Sequence, residues 1–273
     1  MSPQRLIGRK TEAGTGLGPD ALRALQPDHV NMDHLHGKVA LITGASKGLG
    51  RAIALAFARE GAALALCARG EPALQAVASE CRLLGVEVLA VPADVADPAD
   101  RERLVSLTLA RFARVDVLVN NASTVGPTPL PLLVDTDPQA FEDVVRVNLT
   151  APFLLTRSVV GAMLLRGSGI VINVSSDAAV NGYPGWGGYS ASKAGLDGLT
   201  RVWAAELAGS GVTVVSVDPG DMDTEMHRAA LPDDDPAALA QPEHVAPAFV
   251  RLAAVGASAA RLEASELLEE VPR

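Results

Sequence analysis

From residue 38 onward, short runs that are apolar at nearly every position alternate with longer stretches in which apolar residues recur at helical spacing. Residues 39–43, 63–67, 86–91, 115–119, 170–174 and 212–217 read as strands, and a weaker seventh falls near 261–264. Residues 51–59, closed off by Gly61, then a stretch reaching about residue 84, 98–112, 141–165 and 189–208 read as helices. A half-buried strand shows an alternating pattern. A strand that is apolar throughout is buried on both faces, as in a parallel sheet with helices on either side. With right-handed crossovers, the alternation predicts an α/β fold: one doubly wound parallel sheet of six to seven strands flanked by helices, in a single domain. The acidic, proline-containing stretch 231–236 reads as a surface loop.

Composition narrows this picture. The chain has 273 residues, 48% of them hydrophobic, enough for one large buried core. The formal net charge of −9 gives no electrostatic case for nucleic acid. Cys67 and Cys81 are the only cysteines, with neither metal-ligand spacing nor a disulfide framework, so no metal is expected. No apolar run reaches the ~18 residues of a membrane span, and no secretory leader is evident, so a cytoplasmic protein is expected. Residues 1–36 are rich in glycine, proline and polar groups without periodicity. They read as a flexible extension ahead of a domain at 37–273, and Met32 is an alternative start. Gly14, Gly16 and Gly18 mimic a phosphate loop, but no strand leads into them.

A better phosphate loop follows the first strand directly: Gly44, Ala45, Ser46, Lys47, Gly48, Leu49, Gly50, then a helix. Gly44 permits a tight turn, Gly48 a close backbone approach to a pyrophosphate, and Gly50 close packing of helix on strand. The helix start offers free N–H groups to the phosphates. A carboxylate at the end of the second strand would grip the ribose 2′-hydroxyl of NAD. Here that position holds Cys67, Ala68 and Arg69, with no acid before Glu71. Arg69 and Lys47 together suit the 2′-phosphate of NADP(H); the rival reading is two solvated surface cations.

Tyr189 and Lys193 are spaced i, i+4 and so share a helix face. A nearby ammonium is expected to lower a phenol's pKa, which would let Tyr189 give a proton to a carbonyl oxygen or take one from an alcohol. Ser176 ends the fifth strand, Asn120, Asn121, Ala122 and Ser123 end the fourth, and Asp218, Pro219 and Gly220 end the sixth. All therefore fall on the ligand-binding edge of a parallel sheet. His227 and His244 read as surface residues without an acid partner.

Together these motifs resemble the short-chain dehydrogenase/reductase family over about residues 37–253. The resemblance implies a Rossmann-like fold and hydride transfer between nicotinamide and a carbonyl or alcohol. It implies Tyr189 as acid/base, Ser176 as partner of the substrate oxygen, and Lys193 on the nicotinamide ribose. Asn148 would support a water-linked proton relay to that lysine. Asp94 and Val95 would contact adenine. Gly44, Ser46, Lys47, Gly48, Leu49, Gly50, Asn121, Ala122, Pro219 and Gly220 would cradle the dinucleotide, and Thr224 would reach the nicotinamide amide. A homo-oligomer, dimer or tetramer, is expected.

Two departures stand out. Ser123 replaces a usual glycine, and the glycine-rich ending after the seventh strand is missing, which puts that strand in doubt. A small-molecule carbonyl or alcohol substrate is expected in a pocket near Thr124, Val125, Asp177, Gly185, Trp186, Asp221 and Met222. The substrate loop spans about 221–241, with 225–241 as a lid. The competing function is a catalytically silent dinucleotide-binding regulator or scaffold of the same fold.

Overall fold

A computed structural model describes residues 34–269. The signals at Gly14, Gly16, Gly18 and Met32 lie outside the described residues. Seven strands form one sheet, in the order β3-β2-β1-β4-β5-β6-β7, and every pairing is parallel. They are β1 (Val39–Thr43), β2 (Ala63–Ala68), β3 (Val88–Pro92), β4 (Val117–Asn120), β5 (Gly169–Val174), β6 (Val212–Asp218) and β7 (Arg261–Glu263). The helices are α1 (Gly48–Arg59), α2 (Glu71–Leu83), α3 (Pro98–Phe112), α4 (Pro138–Val145), α5 (Ala151–Arg166), α6 (Gly187–Glu206), α7 (Glu225–Ala230), α8 (Pro242–Val255) and α9 (Ala264–Glu269).

The unbroken apolar strands are explained by two cores. Ala40 and Ile42 of β1 face one buried cluster, with α1, α2 and α8. Leu41, between them, faces the other, with α3 and α5. Successive side chains point to opposite faces, and both faces are covered. Leu35 is also fully buried in the first cluster, and its N–H donates to the Glu60 carbonyl at 3.0 Å. The folded unit thus takes in residues that the sequence pattern assigned to the extension.

The long helix expected over 141–165 is divided. α4 opens on Asp137, whose carboxylate accepts from the Ala140 N–H at 3.3 Å, and a π turn at Arg146–Thr150 separates it from α5. Such single-turn insertions concentrate at functional sites. The stretch Pro138–Arg166 is long and apolar enough to cross a membrane by length and composition, but much of it is buried within the fold. The doubted seventh strand exists: Arg261, Leu262 and Glu263 pair with Ser216, Val217 and Asp218. The chain leaves β1 toward β2 on one side, and β4 flanks it on the other. That reversal opens a crevice at the C-terminal strand ends.

Candidate active site

A cleft of about 1580 Å³ runs along that edge. Every residue assigned to the dinucleotide or to catalysis from sequence lines it, except Gly50 and Asn148. Those two stand behind its walls, and the reasons differ.

Gly50 serves packing. A Cβ there would collide with the Gly44 carbonyl and come within 2.5 Å of Asn121 Nδ2. A Cβ on Gly44 would lie 2.8 Å from the same nitrogen, at a φ of +67° that favours glycine. Asn121 Nδ2 donates to the carbonyls of Thr43 at 2.9 Å and Gly44 at 3.1 Å. Thr43 Oγ1 accepts the N–H groups of Asn121 and Ala122 at 3.0 Å each and donates to the Val119 carbonyl at 3.3 Å. The phosphate loop is thereby pinned to the end of β4. Thr43 was not singled out from sequence, because nothing in a buried strand's last residue signals a hub.

The residues present fit a dinucleotide. α1 has no side-chain cap at its start and no acid in its first turn, so no cap or acid of its own competes with a phosphate for its first N–H groups among the described residues. Arg69 stands exposed at the end of β2 with no carboxylate beside it on the strand. Lys47 is also exposed, but its ammonium pairs with Glu225 of α7 across the cleft. That partner holds the Glu225 carboxyl below its usual pKa. Both side chains are solvated, so the pair is weak and exchangeable. Asp94 Oδ1 accepts from the Ala96 N–H at 2.8 Å, which shapes the turn after β3, and Val95 beside it is buried. Gly220 turns the chain after β6 at φ +73°. Thr224 caps α7, accepting from the His227 N–H at 3.2 Å, and its methyl faces Gly48.

Ser176, Tyr189 and Lys193 share the opposite wall. Ser176 Oγ accepts from the Ala178 N–H at 3.1 Å and donates to Asp177 Oδ1 at 3.1 Å. Asp177 Oδ2 in turn accepts from the Tyr183 hydroxyl at 2.6 Å, a contact that gave no sequence signal. Lys193 is buried, and its Nζ donates to the Val174 carbonyl at 2.6 Å. Burial lowers its pKa to about 8, against the opposing pull of Asp197 and Asp218.

Tyr189 corrects an expectation. Its phenol is pushed up to about 12, chiefly by burial, while the Ser176 and Ser123 hydroxyls pull the other way. Part of its surface opens on the cleft, yet protein surrounds the ring, and that desolvation dominates. Lys193 Nζ stands 5.4 Å from the ring centroid and is bonded to the Val174 carbonyl, and burial outweighs its pull on the phenol.

Asn148 is buried in the π turn. Its Oδ1 accepts from the Thr124 N–H at 2.9 Å and Ser123 Oγ at 3.1 Å. Its Nδ2 donates to the Thr124 carbonyl at 2.8 Å and Ser192 Oγ at 3.1 Å. The side chain therefore clamps the segment after β4 to α6. Ser123, noted as a departure, is part of that clamp.

On the substrate side, Trp186 packs edge-on against Tyr189 at 5.4 Å between ring centroids and forms a cleft wall. Gly185 lies off the cleft, against Leu130. His227 is not the partnerless surface residue expected. Its side chain is 10% exposed, with Nε2 at 2.9 Å from Asp234 and Nδ1 at 3.9 Å from Asp221. Those partners come from the folding of the loop, which local sequence does not reveal. His244 is exposed.

A doubly wound sheet with an uncapped phosphate-loop helix facing a serine, tyrosine and lysine wall defines a pyridine-nucleotide-linked oxidoreductase. The short chain dehydrogenase model matches residues 38–235, and the chain belongs to that family. It is 43% identical over 196 residues to a 3-oxoacyl-[acyl-carrier-protein] reductase of Synechocystis, covering 71% of this chain and 78% of the relative. It is 38% identical over 208 residues to the reductase of the same description from Escherichia coli, covering 76% and 83%. Among solved structures, a metagenomic short-chain oxidoreductase in complex with NADP superposes with a TM-score of 0.72 at 35% identity, covering 85% of this chain and 98% of that one.

Proposed function

We propose that this chain is an NADPH-dependent reductase of a small ketone or aldehyde, able to run in reverse on a secondary alcohol, with Tyr189 as acid/base. The observation that carries the reading is the convergence of Ser176, Tyr189 and Lys193 on one wall of the cleft that the phosphate loop opens. When bound, the nicotinamide supplies or accepts the hydride. Tyr189, held in its neutral form by burial, is in the right state to donate a proton to the oxygen of a carbonyl under reduction. Ser176 supplies a hydroxyl beside that oxygen. Arg69 and Lys47 favour the 2′-phosphate, and the end of β2 has no acid to favour a free 2′-hydroxyl. The similarity to two 3-oxoacyl-[acyl-carrier-protein] reductases supports trying β-ketoacyl thioesters early. A cytoplasmic homo-oligomer is the expected form.

NADPH oxidation against ketones, aldehydes, β-ketoacyl thioesters and quinones tests the reaction, and the KM ratio of NADPH to NADH tests the preference. A lower KM for NADH would refute the roles of Arg69 and Lys47. Tyr189→Phe is expected to lower kcat by about 10²–10⁴-fold with cofactor affinity nearly unchanged. Full activity in Tyr189→Phe would assign the proton to another group.

A further inference from the structure

Arg261 lies on β7, an edge strand of the sheet. Its side chain reaches inward beneath the catalytic wall. Nε donates to Asp197 Oδ2 at 3.1 Å, and Nη2 donates to Asp218 Oδ2 at 3.0 Å. Nη2 also points at the Ser176 carbonyl, 3.4 Å away. Each partner belongs to a different carrier of the site. Asp197 is one turn beyond Lys193 on α6, Asp218 leads into Pro219 and Gly220, and Ser176 follows β5. We propose that Arg261 is a positioning residue, whose planar fork neutralises two buried carboxylates and locks the ends of β5 and β6 to the helix that carries Tyr189 and Lys193.

This inference rests on the proposed roles of Ser176, Tyr189 and Lys193, and the geometry supports it further. Asp197 and Asp218 are both nearly inaccessible. Asp197 Oδ1 accepts no hydrogen bond from any described residue, so Arg261 is the charge partner that the other oxygen has. A buried carboxylate stripped of its partner is strongly unfavourable. The charged or titratable groups around this cluster are Asp177 beyond β5, Tyr189, Lys193 and Asp197 on α6, Asp218 on β6, and Glu263 beside Arg261 on β7. Asp197 and Asp218 both act to hold the proton on Lys193. In this proposal Arg261, paired with both carboxylates, offsets them. A lysine could not do the same, because it lacks the fork that spans two carboxylates and a carbonyl.

The test uses a feature of this chain: it has four lysines, Lys10, Lys38, Lys47 and Lys193. In full-length protein labelled with ¹³C-lysine, the Cε signal of Lys193, assigned through Lys193→Arg, reports its ionisation without any assay of turnover. Wild type is expected to titrate near 8. Arg261→Met is expected to raise that midpoint by about one unit, and Asp218→Asn to lower it, since Asn keeps the hydrogen bond to the Gly220 N–H. In the proposed reaction, Arg261→Met should lose on the order of tenfold to a hundredfold in kcat with a small change in NADPH affinity, and Arg261→Lys should recover only part of it. An unchanged midpoint in Arg261→Met would overturn the role of Arg261, as would a fall in melting temperature with kcat and midpoint intact. If Arg261→Met fails to fold, Arg261→Lys, which keeps the charge without the fork, decides: kcat equal to wild type would overturn the role. A wild type inactive on every substrate would instead remove the proposed function, and the lysine titration would still judge Arg261.

Discussion

Tyr189 and Lys193 are four positions apart, yet each is governed by its surroundings more than by the other. Burial drives the phenol up to about 12 and the ammonium down to about 8. Both shifts favour the neutral form, as desolvation must. Lys193 therefore carries a stability cost whose sign follows from linkage. The unfolded chain holds this proton up to about pH 10.5, while the folded chain releases it near 8. The unfolded state binds more protons between those values, so stability rises with pH across that window, and the penalty is present in full below it. Relative to wild type, Lys193→Met is expected to be more stable at pH 7 than at pH 10, the difference closing as pH rises through that window. Urea unfolding at the two pH values measures this. If Lys193 takes the proposed part in the reaction, the same variant loses turnover, and the lysine trades stability for chemistry. The Tyr–Lys pairing was legible from spacing. The direction of the phenol's shift was not, because spacing says nothing about how much water a ring retains.

At the scale of elements, the phosphate loop shows how three glycines divide the work. Gly44 is excluded from carrying a Cβ by Asn121 and the Ala122 backbone, and Gly50 by Asn121 and the Gly44 carbonyl, whereas a Cβ on Gly48 would meet only the Thr224 side chain, no closer than 3.4 Å. Gly50→Ala is expected to destabilise the fold by about 2–3 kcal/mol, because the Gly44 carbonyl and the end of β4 must both move. It should also weaken NADPH binding. Denaturant midpoints and fluorescence titration would show both effects. Unaltered stability would mean that the loop yields easily. The glycine spacing revealed the loop. Its attachment to β4 through Thr43 and Asn121 joins residues some 78 positions apart and had no local signature. The π turn was hidden for a related reason: apolar periodicity runs through residues 141–165 without a visible break, and the inserted turn is set by the Asn148 clamp on Thr124 and Ser192. β7 was doubted because the glycine-rich ending expected there is missing. It forms because β6 offers an open edge, and Arg261 finds two carboxylates there.

At the scale of the whole molecule, one parallel sheet places the ends of all its strands on one rim, and the site is that rim. α5 and α6 cover one face and leave apolar groups outward, Val202 at 53% and Leu165 at 92% exposed. If the expected subunit pairing uses these helices, the wild type should elute with a mass that is a multiple of 28.1 kDa, and Val202→Glu should shift it toward the single chain. Light scattering on the eluting peak distinguishes the two, and a wild-type monomer would exclude the pairing. The sequence by itself determined the strand and helix pattern, the parallel two-faced sheet, the phosphate loop, and the arrival of Ser176, Tyr189 and Lys193 at one edge. Those follow from periodicity and from residues close along the chain, where geometry is nearly forced. Only the tertiary structure decided which groups are dry and which are paired: Asn148 with Ser123 and Thr124, His227 with Asp234, Arg261 with Asp197 and Asp218. Burial and charge pairing depend on residues brought together from distant positions, and no local pattern encodes them.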